Sequence, residues 1–206
     1  MKIITRANAI LNLKKFIGQD LRKLALKYGI TTYETGKQNK GWKGLVLERL
    51  AGLKTNVSKA PNGLSYELKS VAFHNVNEQL VPKETMAITM INPQELKDHS
   101  FFESHCWAKL KSIIFCAVMW HGKNSESGEL LKVSSLDFSE DDQLILEIKA
   151  DYDFIRNKLI TQGFESLTGA DGKWIQARTK GAGHGSVSRA FYARTALVRK
   201  IFETAS

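Results

Sequence analysis

Segments with the residue pattern of β-strands occupy the middle of the chain, and segments with a helical pattern lie before, between and after them. Residues 64–73 alternate between apolar and polar side chains, and residues 112–120 are strongly apolar. Residues 85–91 are rich in Thr, Met and Ile and form a further candidate strand. This order of elements predicts a mixed α/β or α+β domain.

Apolar residues recur at intervals of three and four over residues 5–28, which predicts a first helix that ends at Gly29. Further helices are predicted over residues 42–50, 101–111, 151–162 and 188–202, and a short strand over residues 174–178. The acidic run from Glu140 to Asp142 has the composition of a helix start, where carboxylates face the positive end of the helix dipole.

The 206 residues include 30 Lys and Arg against 21 Asp and Glu, which gives a net charge of +9. With 43% hydrophobic residues, the chain is predicted to form one globular domain over residues 1–206 and not a disordered segment. The basic excess favours a polyanionic partner such as nucleic acid, although a solvated surface could have the same composition. We find no apolar run of transmembrane length and no secretory signal pattern, so we expect no membrane partner.

The two cysteines, Cys106 and Cys116, are too few for a disulfide framework and indicate buried thiols in a reducing compartment. His105 adjoins the first of them, but the sequence has no second Cys or His pair at zinc-site spacing. We therefore expect no zinc.

The tripeptide Glu67-Leu68-Lys69 lies within the alternating segment 64–73. Residues two apart on a strand face the same side, so the carboxylate and the ammonium group are predicted to project together. Such a pair suits divalent-metal hydrolysis of a phosphodiester, because the carboxylate binds Mg²⁺ and the lysine orients the attacking water and offsets phosphate charge. The alternative is a salt bridge on a solvated strand.

Two residues upstream of this pair are further candidates. Asn62 lies at the entry to the predicted strand, and Glu48 lies among Leu and Val in the predicted helix 42–50. A glutamate in apolar surroundings is costly to bury unless it is paired or bound to a metal. Glu48 would complete a metal site if the helix presented it to Glu67 and Lys69. Alternatively, it shares a polar helix stripe with Arg49.

The ordered set of motifs resembles the core of the MutH-type mismatch-repair endonucleases and of the related type II restriction enzymes. The motifs that carry this resemblance span residues of about 10–202; they are KGWKGLVLERLAGL, PNGLSYELKSV, KETMAITMINP, SHCWAKLKSIIF, WIQARTKGAGHG and SRAFYARTALVRKIF. The resemblance implies an α/β (mixed) fold with a restriction-endonuclease-like PD-(D/E)xK core, in which helices flank a mixed sheet. It also implies a catalytic part over residues of about 36–120 and a DNA-recognition part over about 172–202.

The resemblance further implies Mg²⁺-dependent cleavage of double-stranded DNA at a short sequence, with Mn²⁺ as a possible substitute. The family's metal site corresponds to Asn62, Glu67 and Glu48, with Lys69 as the fourth catalytic residue. This chain departs from the family at Asn62, where an Asp is expected, and no acidic residue lies between Arg49 and Tyr66 to replace it. An amide presents one oxygen ligand without the negative charge of a carboxylate, so we expect weak or absent cleavage.

The resemblance assigns DNA contacts to the basic C-terminal region, which also has the alternative of a mobile, solvated loop followed by a helix with a packed core. The carried-over contacts are Arg178, Lys180, His184, Arg189 and Tyr192. Arg and Lys side chains can read guanine or hold phosphate. Two further candidates, Lys109 and Lys111, cannot share one helix face, so we expect one to contact phosphate and the other to be solvated.

Three functions remain open on these grounds. The first is a sequence-specific endonuclease of the MutH-like restriction type, weakened or inactive because of Asn62. The second is a MutL-activated mismatch-repair nickase acting on hemimethylated DNA, and the third is a catalytically silent DNA-binding module. We expect a prokaryotic cytoplasmic protein, associated with the nucleoid when bound to DNA, that acts as a monomer or a DNA-induced dimer.

Overall fold

A computed structural model describes residues 4–31, 33–34, 37–38, 41–53, 65–122, 128–180 and 188–205. Its helices are α1 (Arg6–Lys14), α2 (Leu21–Lys27), α3 (Trp42–Ala51), α4 (Pro93–Asp98), α5 (His105–Leu110), α6 (Gln143–Gln162) and α7 (Thr195–Thr204). Its strands are β1 (Tyr33–Glu34), β2 (Lys37–Gln38), β3 (Glu67–Val76), β4 (Gln79–Pro82), β5 (Met86–Met90), β6 (Ser112–Met119), β7 (Leu130–Asp137), β8 (Ile175–Thr179) and β9 (Arg189–Ala193).

The strands form a central mixed sheet, a smaller antiparallel sheet and a short ribbon. The central sheet has the order β4-β3-β6-β7, in which β3 and β6 are parallel and the other pairs are antiparallel. The smaller sheet has the order β5-β9-β8, and β1 pairs with β2. Helices flank this curled mixed sheet, which confirms the predicted α/β class and is consistent with a restriction-endonuclease-like fold.

The central sheet is buried on both faces because apolar side chains of β3 and β6 alternate between two separate cores. Leu68 and Ile114 face the core formed with α1, α2 and α3. Phe73 and Phe115 face the other core, which contains residues of the smaller sheet and of α5, α6 and α7. Glu67 and Lys69 share the strand face of Phe73, since side chains two apart lie on the same side. They therefore point toward the smaller sheet and α5.

The prediction of one continuous first helix is wrong, because residues 5–28 form two helices. Between them the chain runs along β7, where the amide of Gly18 donates to the carbonyl of Leu130 at 2.8 Å. Gly18 has a φ of +80°, and Asp20 then caps the second helix through a hydrogen bond from the amide of Arg22 at 2.8 Å. A tertiary contact and a local helix cap therefore divide this segment into two helices, although its apolar pattern is continuous.

The prediction of one helix over residues 188–202 is also wrong, because its first part forms β9. Arg189–Ala193 lies between β5 and β8, and α7 begins only after Arg194. The segment predicted as helix 101–111 is likewise divided, into a 3-10 turn at Phe101–Glu103 and α5. The acidic helix start is confirmed, since Asp142 accepts a hydrogen bond from the amide of Leu144 at the beginning of α6.

Among the helices that the structure describes, none combines the length and the apolarity that a membrane span requires.

Candidate active site

Glu67 and Lys69 lie together at the first end of β3, as their spacing predicts. Lys69 Nζ is 3.1 Å from Glu67 Oε1, and the two side chains are 13% and 5% exposed. The parallel pairing of Glu67 with Ile113 and of Lys69 with Phe115 places the pair on a strand that is enclosed by the core. The two side chains therefore form a salt bridge, but on a buried strand and not on the solvated strand of the alternative interpretation.

A second lysine reaches the same carboxylate oxygen from α5. Lys109 Nζ lies 3.3 Å from Glu67 Oε1, and its side chain is 14% exposed. The helix that carries it is capped by Ser104, whose hydroxyl accepts a hydrogen bond from the amide of Trp107 at 3.2 Å. Lys111 lies just beyond α5 and is exposed, so the structure brings only the first of the two candidate lysines to the carboxylate.

The charges around Glu67 make this end of β3 electropositive. Burial lowers the pKa of Lys69, and the positive charges of Lys109 and Lys180 lower it further, while the Glu67 carboxylate acts in the opposite direction. One carboxylate thus lies beside two ammonium groups, with a third basic residue, Lys180, close enough to affect Lys69. Such an excess of buried positive charge is suited to an anionic ligand such as a phosphodiester.

Glu48 lies on α3, which packs on the opposite face of the central sheet. The last turn of this helix is near the start of β3, because Tyr66 donates its hydroxyl to the carbonyl of Ile4 at 3.0 Å and Ile4 also lies beside Gly52. Glu48 lies one turn before that helix end, and its Oε2 atom is buried. The predicted candidates Asn62 and His184 lie outside the described residues.

The donor chemistry of Glu67 and Glu48 fits a hard divalent cation, which prefers carboxylate oxygens. Within the described parts of the chain, no three His, Cys, Asp or Glu side chains gather closely enough to hold a metal ion. The third predicted metal ligand, Asn62, lies outside the described residues, so the metal site stays a prediction.

The predicted DNA contacts on β8 and β9 comprise an arginine–tyrosine pair with an exposed arginine, and a buried arginine. The Arg178 guanidinium lies 5.1 Å from the centre of the Tyr192 ring, on paired strands of the smaller sheet. The Arg189 side chain is only 7% exposed and donates to the carbonyls of Leu167 at 2.8 Å and of Glu165 at 3.1 Å. The structure therefore gives Arg189 a role in fixing the segment before β8, while Arg178 faces solvent.

Lys180 lies at the end of β8, where its backbone meets that of Ser188. The amide of Lys180 donates to the carbonyl of Ser188 at 3.0 Å, and the Ser188 hydroxyl donates back to the carbonyl of Lys180 at 2.7 Å. The side chain of Lys180 is exposed and its charge reaches Lys69. This lysine of the predicted recognition part therefore acts electrostatically on Lys69 of the predicted catalytic part.

Sequence reasoning missed two groups that hold these elements in place. The carbonyl of Ile88 on β5 accepts a hydrogen bond from Lys69 Nζ at 3.0 Å. The Asp151 carboxylate on α6 accepts hydrogen bonds from the amides of Lys173, Trp174 and Ile175, which lead into β8. The sequence could have indicated Asp151, because an acidic residue on the buried side of a helix needs hydrogen-bond partners. It could not have indicated the Ile88 carbonyl, because every residue has a backbone carbonyl.

Comparisons with known proteins relate the chain to one family. A model of the family described as the DNA mismatch repair enzyme MutH matches residues 54–149. The DNA mismatch repair protein MutH of Escherichia coli O17:K52:H18 (strain UMN026 / ExPEC) is 24% identical over 193 residues, which cover 92% of this chain and 82% of that protein. The MutH protein of Escherichia coli strain K12 / DH10B has the same identity and coverage. The family match includes Glu67, Lys69 and Lys109.

Proposed function

We propose, on the premise that the chain belongs to a MutH-like nuclease family, that it is a Mg²⁺-dependent, sequence-specific endonuclease of double-stranded DNA of the restriction type. The observation that carries this proposal is the Glu67 carboxylate, which is enclosed at the start of β3 between the ammonium groups of Lys69 and Lys109. A carboxylate beside two cations provides both a metal ligand and positive charge for a phosphodiester.

In the proposed reaction, water attacks the phosphorus atom in line and the bond from phosphorus to the 3′ oxygen breaks. Glu67, Glu48 and Asn62 would hold Mg²⁺, or Mn²⁺ in its place, and the bound ion would lower the pKa of water and neutralise charge on the phosphate. Lys69 orients the attacking water through its fixed ammonium group. Lys109 offsets the charge that develops on the phosphate oxygens.

Asn62 is the reason to expect that this chain cleaves poorly as it stands. An amide oxygen in place of a carboxylate removes one negative charge next to a divalent cation, which weakens metal binding. The rest of the proposed set, Glu48, Glu67 and Lys69, is retained. DNA binding does not need the missing charge, so the chain should still bind its substrate.

We assign DNA binding to basic and aromatic residues near this site. The exposed Arg178 and the half-buried Tyr192 form a cation–π pair on the smaller sheet, and the charge of Lys180, just beyond the end of β8, reaches Lys69. Arg178 is placed to contact base edges or phosphate, and Lys180 to contact phosphate near the scissile bond. The assignments of His184 and Arg189 to DNA rest on the family resemblance alone. Of the two candidate lysines, we take Lys109 as the phosphate contact and the exposed Lys111 as the solvated one.

The test is cleavage of supercoiled plasmid by this chain and by its Asn62→Asp variant, with Mg²⁺ and with Mn²⁺, on adenine-methylated and unmethylated DNA. Discrete linear products from the Asn62→Asp variant, at a rate at least about 100-fold above the parent chain, would support the proposal. The Asn62→Asp, Glu67→Gln double variant is the matched control and should be inactive. No cleavage by Asn62→Asp, with DNA binding intact, would instead support a silent DNA-binding module.

A mismatch-repair nickase is a second candidate, because the similar Escherichia coli proteins are DNA mismatch repair proteins. In that case the chain would act on hemimethylated DNA with a MutL partner. The same plasmid assay separates the two functions: open circles without linear product, increased by MutL, would indicate the nickase.

A further inference from the structure

The strand β5 contains an irregularity beside the candidate active site. Its pairing with β9 passes from Ala87 opposite Tyr192 directly to Thr89 opposite Phe191. Ile88 is therefore an extra residue in β5, as in a β-bulge, where the extra residue leaves the regular ladder. Its side chain is 3% exposed and packs in the core, so the irregular backbone is held in place from within.

The carbonyl of this extra residue faces the central sheet. It accepts the hydrogen bond from Lys69 Nζ at 3.0 Å, while the same ammonium group lies 3.1 Å from Glu67 Oε1. A lysine side chain has large rotamer freedom, and two acceptors at fixed positions restrict its head group far more than one does. The bulge also connects Lys69 to the strand pair β5–β9, which carries Tyr192.

We propose that the bulge at Ile88 is a positioning device for the reaction, in which the Ile88 carbonyl holds the Lys69 ammonium group beside Glu67. This inference rests on the proposed function, since it takes Lys69 as the residue that orients water. The bulge supplies a neutral acceptor that fixes the lysine without removing its charge.

Lys109 provides an internal comparison within the same site. It lies almost as close to Glu67 Oε1 as Lys69 does, at 3.3 Å, and its side chain is 14% exposed against 13% for Lys69. The two lysines thus share their carboxylate partner and their exposure, and within the described residues Lys69 also donates to the Ile88 carbonyl. Slower acetylation of Lys69 than of Lys109 is the result that this contact predicts.

The first experiment is acetylation of the intact chain, without metal or DNA, by an amine-reactive ester, with the rate at each lysine followed by mass spectrometry. A charge-assisted hydrogen bond should slow Lys69 by about tenfold relative to Lys109. Equal rates at the two lysines would overturn the inference. This measurement needs no cleavage, so its failure is distinct from failure of the proposed nuclease function.

The second experiment compares deletion of Ile88 with Ile88→Ala. Deletion joins Ala87 to Thr89 and gives a regular ladder with β9, whereas Ile88→Ala keeps the bulge and its carbonyl but removes core packing. Acetylation of Lys69, relative to Lys109, should rise by about tenfold in the deletion variant and stay unchanged in Ile88→Ala. The inference is overturned if both variants raise it equally. If the deletion variant does not fold, the rates in the intact chain decide.

Discussion

Of the two candidate lysines in and just after α5, one lies beside the Glu67 carboxylate and the other faces solvent. Lys109 lies 3.3 Å from Glu67 Oε1, whereas Lys111 is exposed beyond the helix. In the Asn62→Asp background we expect Lys109→Met to lower the cleavage rate by about 10- to 100-fold, because a positive charge near the phosphate is lost. Lys111→Met is the matched control and should change the rate less than about twofold. Single-turnover cleavage of a short duplex measures both.

Equal losses of cleavage rate in the two variants would mean that the reaction responds to the net positive charge of the protein and not to the position of Lys109. A larger loss in Lys111→Met would place the phosphate on the other side of the segment.

Both cysteines are buried thiols, as predicted, and the structure makes their reactivity testable. Burial raises the pKa of Cys116 to about 12, and burial followed by the charge of Glu95 raises the pKa of Cys106. Because the thiolate is the reactive form, alkylation near pH 8 should be at least about 100-fold slower in the folded chain than in urea. Alkylation followed by mass spectrometry measures each site, and rapid labelling of the folded chain would contradict the burial.

The same two thiols affect stability at high pH. Their pKa is higher in the folded chain than the unfolded value of about 8.5. Between these two pKa values, the thiols therefore stay protonated in the folded chain and lose their protons in the unfolded chain. Their contribution to stability is complete below that unfolded value and falls as the pH rises above it. Urea unfolding midpoints should therefore decrease from about pH 8 to about pH 10, and less so in a Cys116→Ala variant than in the parent chain.

At the residue scale, the position of a side chain could be predicted where it follows from the two-residue period of a strand. It could not be predicted where it follows from contacts with residues distant in the sequence. The two-residue period of a strand was sufficient to place Glu67 with Lys69. The choice between Lys109 and Lys111 needed the orientation of α5 over β3. The burial of Arg189 could not be foreseen, because its carbonyl partners lie 22 and 24 residues away, in and directly after a short 3-10 helix.

At the element scale, the position of β8 depends on a carboxylate from the middle of α6. Asp151 is 8% exposed and accepts amide hydrogen bonds from Lys173 at 2.7 Å and Ile175 at 2.9 Å. Asp151→Asn removes the charge and leaves a single accepting oxygen, so we expect a loss of about 2–4 kcal/mol in the free energy of unfolding. Asp153→Asn, on the same helix, breaks only a partly exposed pair with Lys149 and should cost less than about 1 kcal/mol.

Urea denaturation of the two variants gives these free energies. A loss in Asp151→Asn no larger than in Asp153→Asn would mean that the segment before β8 is held by its other contacts, among them those of Arg194 with the carbonyls of Gly169 and Gly172.

Elements with one strong periodicity were predictable, and elements that change type within an apolar run were not. The helix at 42–50 and the strand at 112–120 have one pattern throughout, and the structure has α3 and β6 there. Residues 188–202 contain a true helical pattern at Leu197, Val198 and Ile201, which was extended backwards into β9. Only pairing with β5 and β8 makes the first part a strand, and such pairing is a tertiary effect that propensity does not include.

At the scale of the whole molecule, the net charge of +9 and the cations around Glu67 predict a strong electrostatic share in DNA binding. Affinity for a duplex should fall linearly with the logarithm of salt concentration, because each neutralised phosphate releases counterions and contributes about 0.9 to the slope. Arg178→Ala should weaken binding and reduce the slope by about 1 if Arg178 contacts phosphate. A change in sequence preference with the slope unchanged would instead assign it to a base edge.

Lys149→Ala is the control for this measurement, because it removes one positive charge that is already paired with Asp153 within the protein. Both variants lower the net charge by one, so any difference between their slopes comes from where the charge lies and not from its amount. Fluorescence anisotropy of a labelled duplex over a range of salt concentrations, in the absence of divalent metal, gives the slopes. Equal slopes for the two variants, together with an unchanged sequence preference, would show that Arg178 does not contact DNA. That outcome would overturn the recognition assignment of Arg178 and leave the catalytic assignment built on Glu67 untouched.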